Sequence, residues 1–314
     1  MNKSYIFDNL NFYNLDPPNF NNLINYKNHK YLDINCFCHK MYIWKHIKFD
    51  KNGIPIQHLN SNISYIEDNG EFYNPVEITN CAISLLQNYY LLQKDKDKQQ
   101  FLKYANFCIN NLDKNIFYYK FNANHCNRIL KKNWYSALSQ SQLLVIFSHA
   151  FKITKDDIYR ETAFKILNMF LINDRNLVYF DKPTMSLAPQ EYNIDDNNKC
   201  VVMNGMLYSI SSFIEFYKIF KDPICFRLIE CFVYFLKTHY KCYYHDKTFS
   251  YYCLHKTHKT KGHLVYHRLI LQILHYLHIC FPSSRIFKEI IEFYMNDSIE
   301  NIDKYIENII RETL

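Results

Sequence analysis

From Pro75 onward the chain is a succession of segments with helical hydrophobic period, and that succession restricts it to a layered, mainly helical fold. Val76, Ala82, Ile83, Leu86 and Tyr90 recur at helical spacing behind Pro75, a residue suited to a first turn. Similar segments occupy about 98–112, 136–152, 156–171, 201–220, 222–238, 264–281, 284–295 and 298–312. Short polar connections, such as Lys152 to Asp157 and Lys221-Asp222-Pro223, predict antiparallel helix pairs. Residues 1–72 read differently: a Pro17-Pro18 break, β-type patches at Tyr42-Ile43-Trp44 and Ile63-Ser64-Tyr65-Ile66, and turn signals at Asn52-Gly53 and Asn69-Gly70. The expected organisation is a strand- and turn-rich N-terminal segment over 1–72 and a helical domain over 73–314.

A hydrophobic fraction of 48% excludes disorder, and no charge-free apolar stretch reaches the roughly 18 residues of a membrane span. The start lacks the basic, apolar and small-residue regions of a secretory signal, so a cytoplasmic location is expected. Eleven scattered cysteines then imply reduced thiols. A net charge of +7 favours an anionic partner. Nucleic acid is disfavoured, since no helix-turn-helix signal, RNP-type motif or zinc finger accompanies the charge. Gly53, Gly70, Gly205 and Gly262 are too isolated to cradle a nucleotide phosphate. Cys36-Phe37-Cys38-His39 lacks zinc-ligand spacing, and the cluster of His255, His258, His263 and His267 lacks the carboxylate or cysteine pattern that completes a metal site. No metal and no cofactor are expected. Two irregular stretches, 174–199 and 240–263, exceed ordinary connections, and the second is basic.

Asn133-Trp134-Tyr135-Ser136-Ala137-Leu138-Ser139-Gln140-Ser141-Gln142 opens one helix and resembles the W-x-S-A-x-x-Q-G-Q motif of the D-glucuronyl C5-epimerases. Gln190-Glu191-Tyr192 is similar to the family's E-E-Y-P, and Val202-Met203-Asn204-Gly205-Met206-Leu207-Tyr208-Ser209 to its V-L-N-G-F-x-Y-S. Upstream, Phe72 to Ile78 is similar to Y-x-P-x-x-I; downstream, Ser250-Tyr251-Tyr252 and Tyr266-His267 resemble I-Y-D-L-R and W-D-Y-H-T-T-H. The resemblance covers about 72–295, in the family's order. Ser141, Asn193, His255 and Ile270 depart from it, standing where the family has Gly, Pro, Arg and His.

The resemblance implies an incomplete α/α toroid of antiparallel helix pairs, a homodimer, and epimerisation of D-glucuronate to L-iduronate in a heparosan-like acidic polysaccharide. Such a reaction needs two proton carriers and stabilisation of an enolate-like intermediate. It assigns Glu191 and Tyr266 as opposing acid/base candidates with Tyr252 and Tyr192 as close partners; which residue serves which face stays open. Ser136, Gln140, Gln142, Asn204, Tyr208, His255, His267 and Arg268 are binding candidates. Tyr208 and Tyr252 equally read as core aromatics, Ser136 as a helix cap and Glu191 as an exposed loop residue. Efficient proton exchange requires Glu191 raised, by aromatic surroundings, and a tyrosine lowered, by cations of the 255–268 stretch. The rival functions are a polysaccharide lyase or uronyl hydrolase on a similar toroid, and an inactive acidic-glycan-binding protein.

Overall fold

The computed structural model describes residues 10–19, 48–59, 68–125, 128–172, 176–193, 201–246, 249–254 and 264–295. Eight helices are among them: α1 (Pro75–Leu92), α2 (Asp95–Asn110), α3 (Ala137–Thr154), α4 (Asp157–Met169), α5 (Met203–Phe220), α6 (Pro223–His239), α7 (Leu264–Cys280) and α8 (Ile286–Met295). The predicted segment at 298–312, and the β-type patches at 42–44 and 63–66, lie outside the described residues.

Local chemistry fixes where the helices begin. The side chains of Asn74, Ser136, Asp156 and Asp222 each accept from a backbone N–H of the first turn, and Pro75 and Pro223 occupy first-turn positions where no donor is needed. Lys155 and Lys221 end α3 and α5 in the left-handed region at φ 63° and 53°.

Helices pair antiparallel in sequence order and build an incomplete α/α toroid. Its inner layer is α1, α3, α5 and α7, which run parallel, as side-chain contacts at both ends show. At their starts Thr79 Oγ1 donates to Gln142 Oε1 at 2.6 Å, and Ser141 Oγ to Ser209 Oγ at 3.1 Å. At their far ends, Tyr90 meets His149 Nδ1 at 2.9 Å, His149 Nε2 meets Glu215 at 3.0 Å, and Tyr276 donates to Glu215 at 3.1 Å. Burial alone would raise the Glu215 carboxyl, but Lys218, His149 and Tyr276 hold it well below the usual carboxylate range. The core runs through this layer: α3 is buried continuously from Ala137 to Ala150, as expected of a helix enclosed on all sides.

Small antiparallel sheets decorate the toroid. A three-stranded sheet, β1 (Lys48–Phe49), β2 (Pro55–Leu59) and β3 (Gly70–Phe72), precedes α1. Gly53, in the β1–β2 turn, has φ 73°, which favours glycine. A hairpin of β4 (Ala123–His125) and β5 (Arg128–Leu130) lies between α2 and α3. The two stretches expected to be irregular each contain a hairpin: β6 (Val178–Asp181) with β7 (Ser186–Pro189), and β8 (Tyr244–Asp246) with β9 (Phe249–Ser250). Strands of two to four residues are too short to show alternation in sequence. Among the described residues no helix is long and apolar enough to cross a membrane.

Candidate active site

The two long loops converge on the starts of α3 and α5. The segment after β7 is tied to α3 by Ala137 N–H donating to Gln190 O at 3.1 Å, and Tyr135 N–H donating to Asn193 Oδ1 at 3.2 Å. The segment after β9 is tied to α5 by Met203 N–H to Tyr252 O at 3.3 Å and Leu254 N–H to Val201 O at 3.2 Å. These bonds bring Glu191, Tyr192 and Tyr252 together. Tyr252 donates to Glu191 Oε1 at 3.2 Å, and the Tyr192 and Tyr252 hydroxyls are 3.2 Å apart.

Gly205, in the first turn of α5, makes room for the acid. A Cβ there would clash with Glu191 Oε2 and come within 3.1 Å of its Cδ and 3.2 Å of its Cβ. Glu191 Oε2 is buried with no hydrogen-bond partner among the described residues. Burial pushes the carboxyl up to about 7, against the downward pull of hydrogen bonds from Tyr252 and Tyr192. An exposed loop glutamate is thereby ruled out. Tyr252 departs from the expected lowering of a tyrosine: burial, then the Glu191 charge, raise its phenol well above 10.0.

Tyr266 lies edge-on to Tyr252, ring centroids 5.7 Å apart, and is 41% exposed. Its neighbour His267 is buried, with Nδ1 3.4 Å from Ser250 Oγ. Asn204 sits buried in the first turn of α5. His255 and the side chain of Arg268 lie outside the described residues.

Four binding candidates have structural employment. Ser136 caps α3, accepting from Leu138 N–H at 3.1 Å. Gln140 donates to Asn115 O at 2.5 Å and accepts from Phe117 N–H at 3.2 Å. Gln142 accepts from Thr79 and donates to Asn80 Oδ1 at 2.6 Å. Both amides are engaged by neighbouring protein groups in the interior. Tyr208 is buried in the main hydrophobic core.

Three residues that the sequence reading passed over belong to this region. His125 stacks on Tyr192 at 3.7 Å and meets Tyr252 edge-on at 5.9 Å. Tyr119 is buried and stacked on Trp134 at 3.7 Å, its hydroxyl hydrogen-bonded to Ser139 and Ser136. Glu77, in the first turn of α1, has an Oε2 that is buried without a partner among the described residues. A carboxylate two residues after Pro75 was the one available signal; nothing local marked the other two. Among the described residues, no group of three or more His, Cys, Asp or Glu side chains is placed to hold a metal ion.

Residues 110–296, more than half of the chain, match the family model described as D-glucuronyl C5-epimerase C-terminus. No curated protein matches. Among solved structures the chain is similar to the cellobiose 2-epimerase of Bacillus thermoamylovorans (TM-score 0.54, 12% identity, covering 86% of this chain and 71% of that one). It is also similar to a family 76 α-mannanase of Bacteroides thetaiotaomicron (0.51, 12%, 80% and 63%) and to a D-mannose isomerase (0.51, 13%, 75% and 63%). The chain thus spans less than two thirds of the length of the last two, and at these identities the likeness is one of fold.

Proposed function

Because the chain belongs to the D-glucuronyl C5-epimerase C-terminus family, a family of carbohydrate epimerases, we propose that it inverts C5 of D-glucuronate residues to L-iduronate in a heparosan-like acidic polysaccharide. The observation that carries this reading is the buried Glu191 carboxyl, raised to about 7 and hydrogen-bonded by Tyr252. A carboxyl with that value is populated in both protonation states near neutrality, as a group that takes and returns a proton requires.

In the proposed cycle ionised Glu191 accepts the C5 proton, and the C–H electron pair moves into an enolate spanning C5 and the sugar carboxylate. Tyr252 and Tyr192 hold the Glu191 carboxyl in place. Tyr266 delivers its hydroxyl proton to the opposite face of C5. Its phenolate then recovers a proton from water, which its exposure permits, while Glu191 releases the one it gained. Asn204, His255, His267 and Arg268 are the proposed contacts to sugar hydroxyls and carboxylates. A homodimer and a cytoplasmic location belong to the same reading.

Proton NMR of heparosan incubated in deuterated water tests it. The wild-type chain should replace the C5 hydrogen with deuterium and produce iduronate signals; Glu191→Gln should slow exchange by a factor of about 10³, with Tyr252→Phe and Tyr266→Phe also impaired. Full exchange in Glu191→Gln would remove the glutamate from the mechanism. An unsaturated uronate would instead identify a lyase, a shortened polymer a hydrolase, and binding without exchange an inactive glycan-binding protein.

A further inference from the structure

Glu77, a half-buried residue whose Oε2 is shielded from solvent, is a second carboxyl at the Glu191 end of the toroid that the proton-transfer scheme leaves unused. It sits in the first turn of α1, two and three residues before the Thr79 and Asn80 side chains that clasp Gln142 of α3. Tyr119 links the two acids: both the Glu191 and the Glu77 carboxyls lie close enough to its buried phenol to raise it. Each acid has one oxygen, Oε2, that is buried and without a hydrogen-bond partner among the described residues. Burying a polar oxygen unpaired is costly, so a ligand group that completes it is the economical explanation.

We propose that Glu77 is the subsite for the substrate's carboxylate, its carboxyl group donating a hydrogen bond to the uronate. The inference rests on the uronate substrate proposed above. An acid-to-carboxylate hydrogen bond is charge-assisted and strong, and a neutral sugar makes no equivalent bond. Such a subsite therefore selects uronates while carrying no positive charge of its own. The surroundings of Glu77 suit the protonated form. Burial pushes its carboxyl up to about 7, and no charged partner contributes. Among the described residues, the titratable groups coupled to it are Cys81 on its own helix and Tyr119 from the segment before α3; Glu191 is coupled in turn to Tyr119, and Tyr104 of α2 to Cys81. All of these are neutral or acidic, so none favours ionised Glu77.

The consequence is pH-dependent affinity. As pH rises through about 7, Glu77 loses its donor proton and gains a charge that repels the uronate. Calorimetric titration of a heparosan hexasaccharide at pH 5.5 and 8.5, beside the same hexasaccharide with its carboxyls reduced to alcohols, tests this without requiring turnover. The wild-type chain should bind the acidic sugar at least tenfold more weakly at pH 8.5, and the reduced sugar with little change. Glu77→Gln, whose amide donates at any pH, should retain binding of the acidic sugar and lose most of that difference; the remainder reports Glu191. Glu77→Leu should bind the acidic sugar weakly at both pH values. A Glu77→Gln variant that keeps the full wild-type pH difference overturns the proposal. So does equal pH dependence for acidic and reduced sugars in the wild-type chain, a result independent of whether any variant folds. C5 deuterium exchange on the same samples separates the two readings: exchange with an unchanged pH response in Glu77→Gln rejects the subsite alone, whereas the expected pH response without exchange rejects the epimerase alone.

Discussion

Glu191 owes its position to the absence of a side chain at residue 205, and that dependence is testable. In the first turn of α5, Gly205→Ala improves helix propensity by about 1 kcal/mol, yet its Cβ collides with the Glu191 carboxyl. Displacing the acid relieves the collision, so activity should fall by about tenfold or more, as expected when a reacting group is misplaced by an ångström, while the melting temperature changes by only a few degrees. A variant that keeps full C5 exchange would show that Glu191 acts from another position. Ser141 shows the opposite accommodation. Where the family motif has Gly, its hydroxyl bonds Leu138 O at 2.9 Å and Ser209 at 3.1 Å, so the departure is absorbed between helices without reaching Glu191. Asn193, in place of the motif's Pro, uses its side chain to pin Tyr135.

The helices were the most legible elements because hydrophobic period and capping residues agree: Pro75, Ser136, Asp156 and Asp222 mark starts that the structure places within a residue or two of expectation. The hairpins were not, since their pairing depends on partners and not on any run of alternating residues. The same limit hid the place of Glu77, Tyr119 and His125 beside Glu191; each is defined by contacts across about 40 residues or more, while Glu191, Tyr192 and Tyr252 drew attention only because family motifs surround them. The far-end network of Tyr90, His149, Glu215, Lys218 and Tyr276 had no sequence signature either, yet it joins all four inner helices. Glu215 titrates below its ordinary range in the folded state, so its contribution is fully present above that range and drains away as acid takes the pH below it. Glu215→Gln should cost about 3 kcal/mol at pH 7 in a denaturant titration, and the deficit should shrink on acidification. A deficit independent of pH would mean that packing, and not charge, is what Glu215 supplies.

At the scale of the whole molecule, α3 and α5 form the centre, each buried along most of its length and flanked by other helices. Native-state hydrogen exchange should find the slowest amides there, opening only with global unfolding, and faster exchange in the short hairpins. Comparable protection in α2 or α4 would displace the centre of stability from this pair. The parallel inner layer has one more effect. Four helix starts face the rim that holds Glu191, and each presents the positive end of its peptide dipoles, equivalent to about half a unit charge. For the proposed polyanionic substrate, the attraction of this rim would therefore be partly main-chain in origin. That main-chain share does not depend on which surface lysines the sequence carries, so long as the ring of helices is kept.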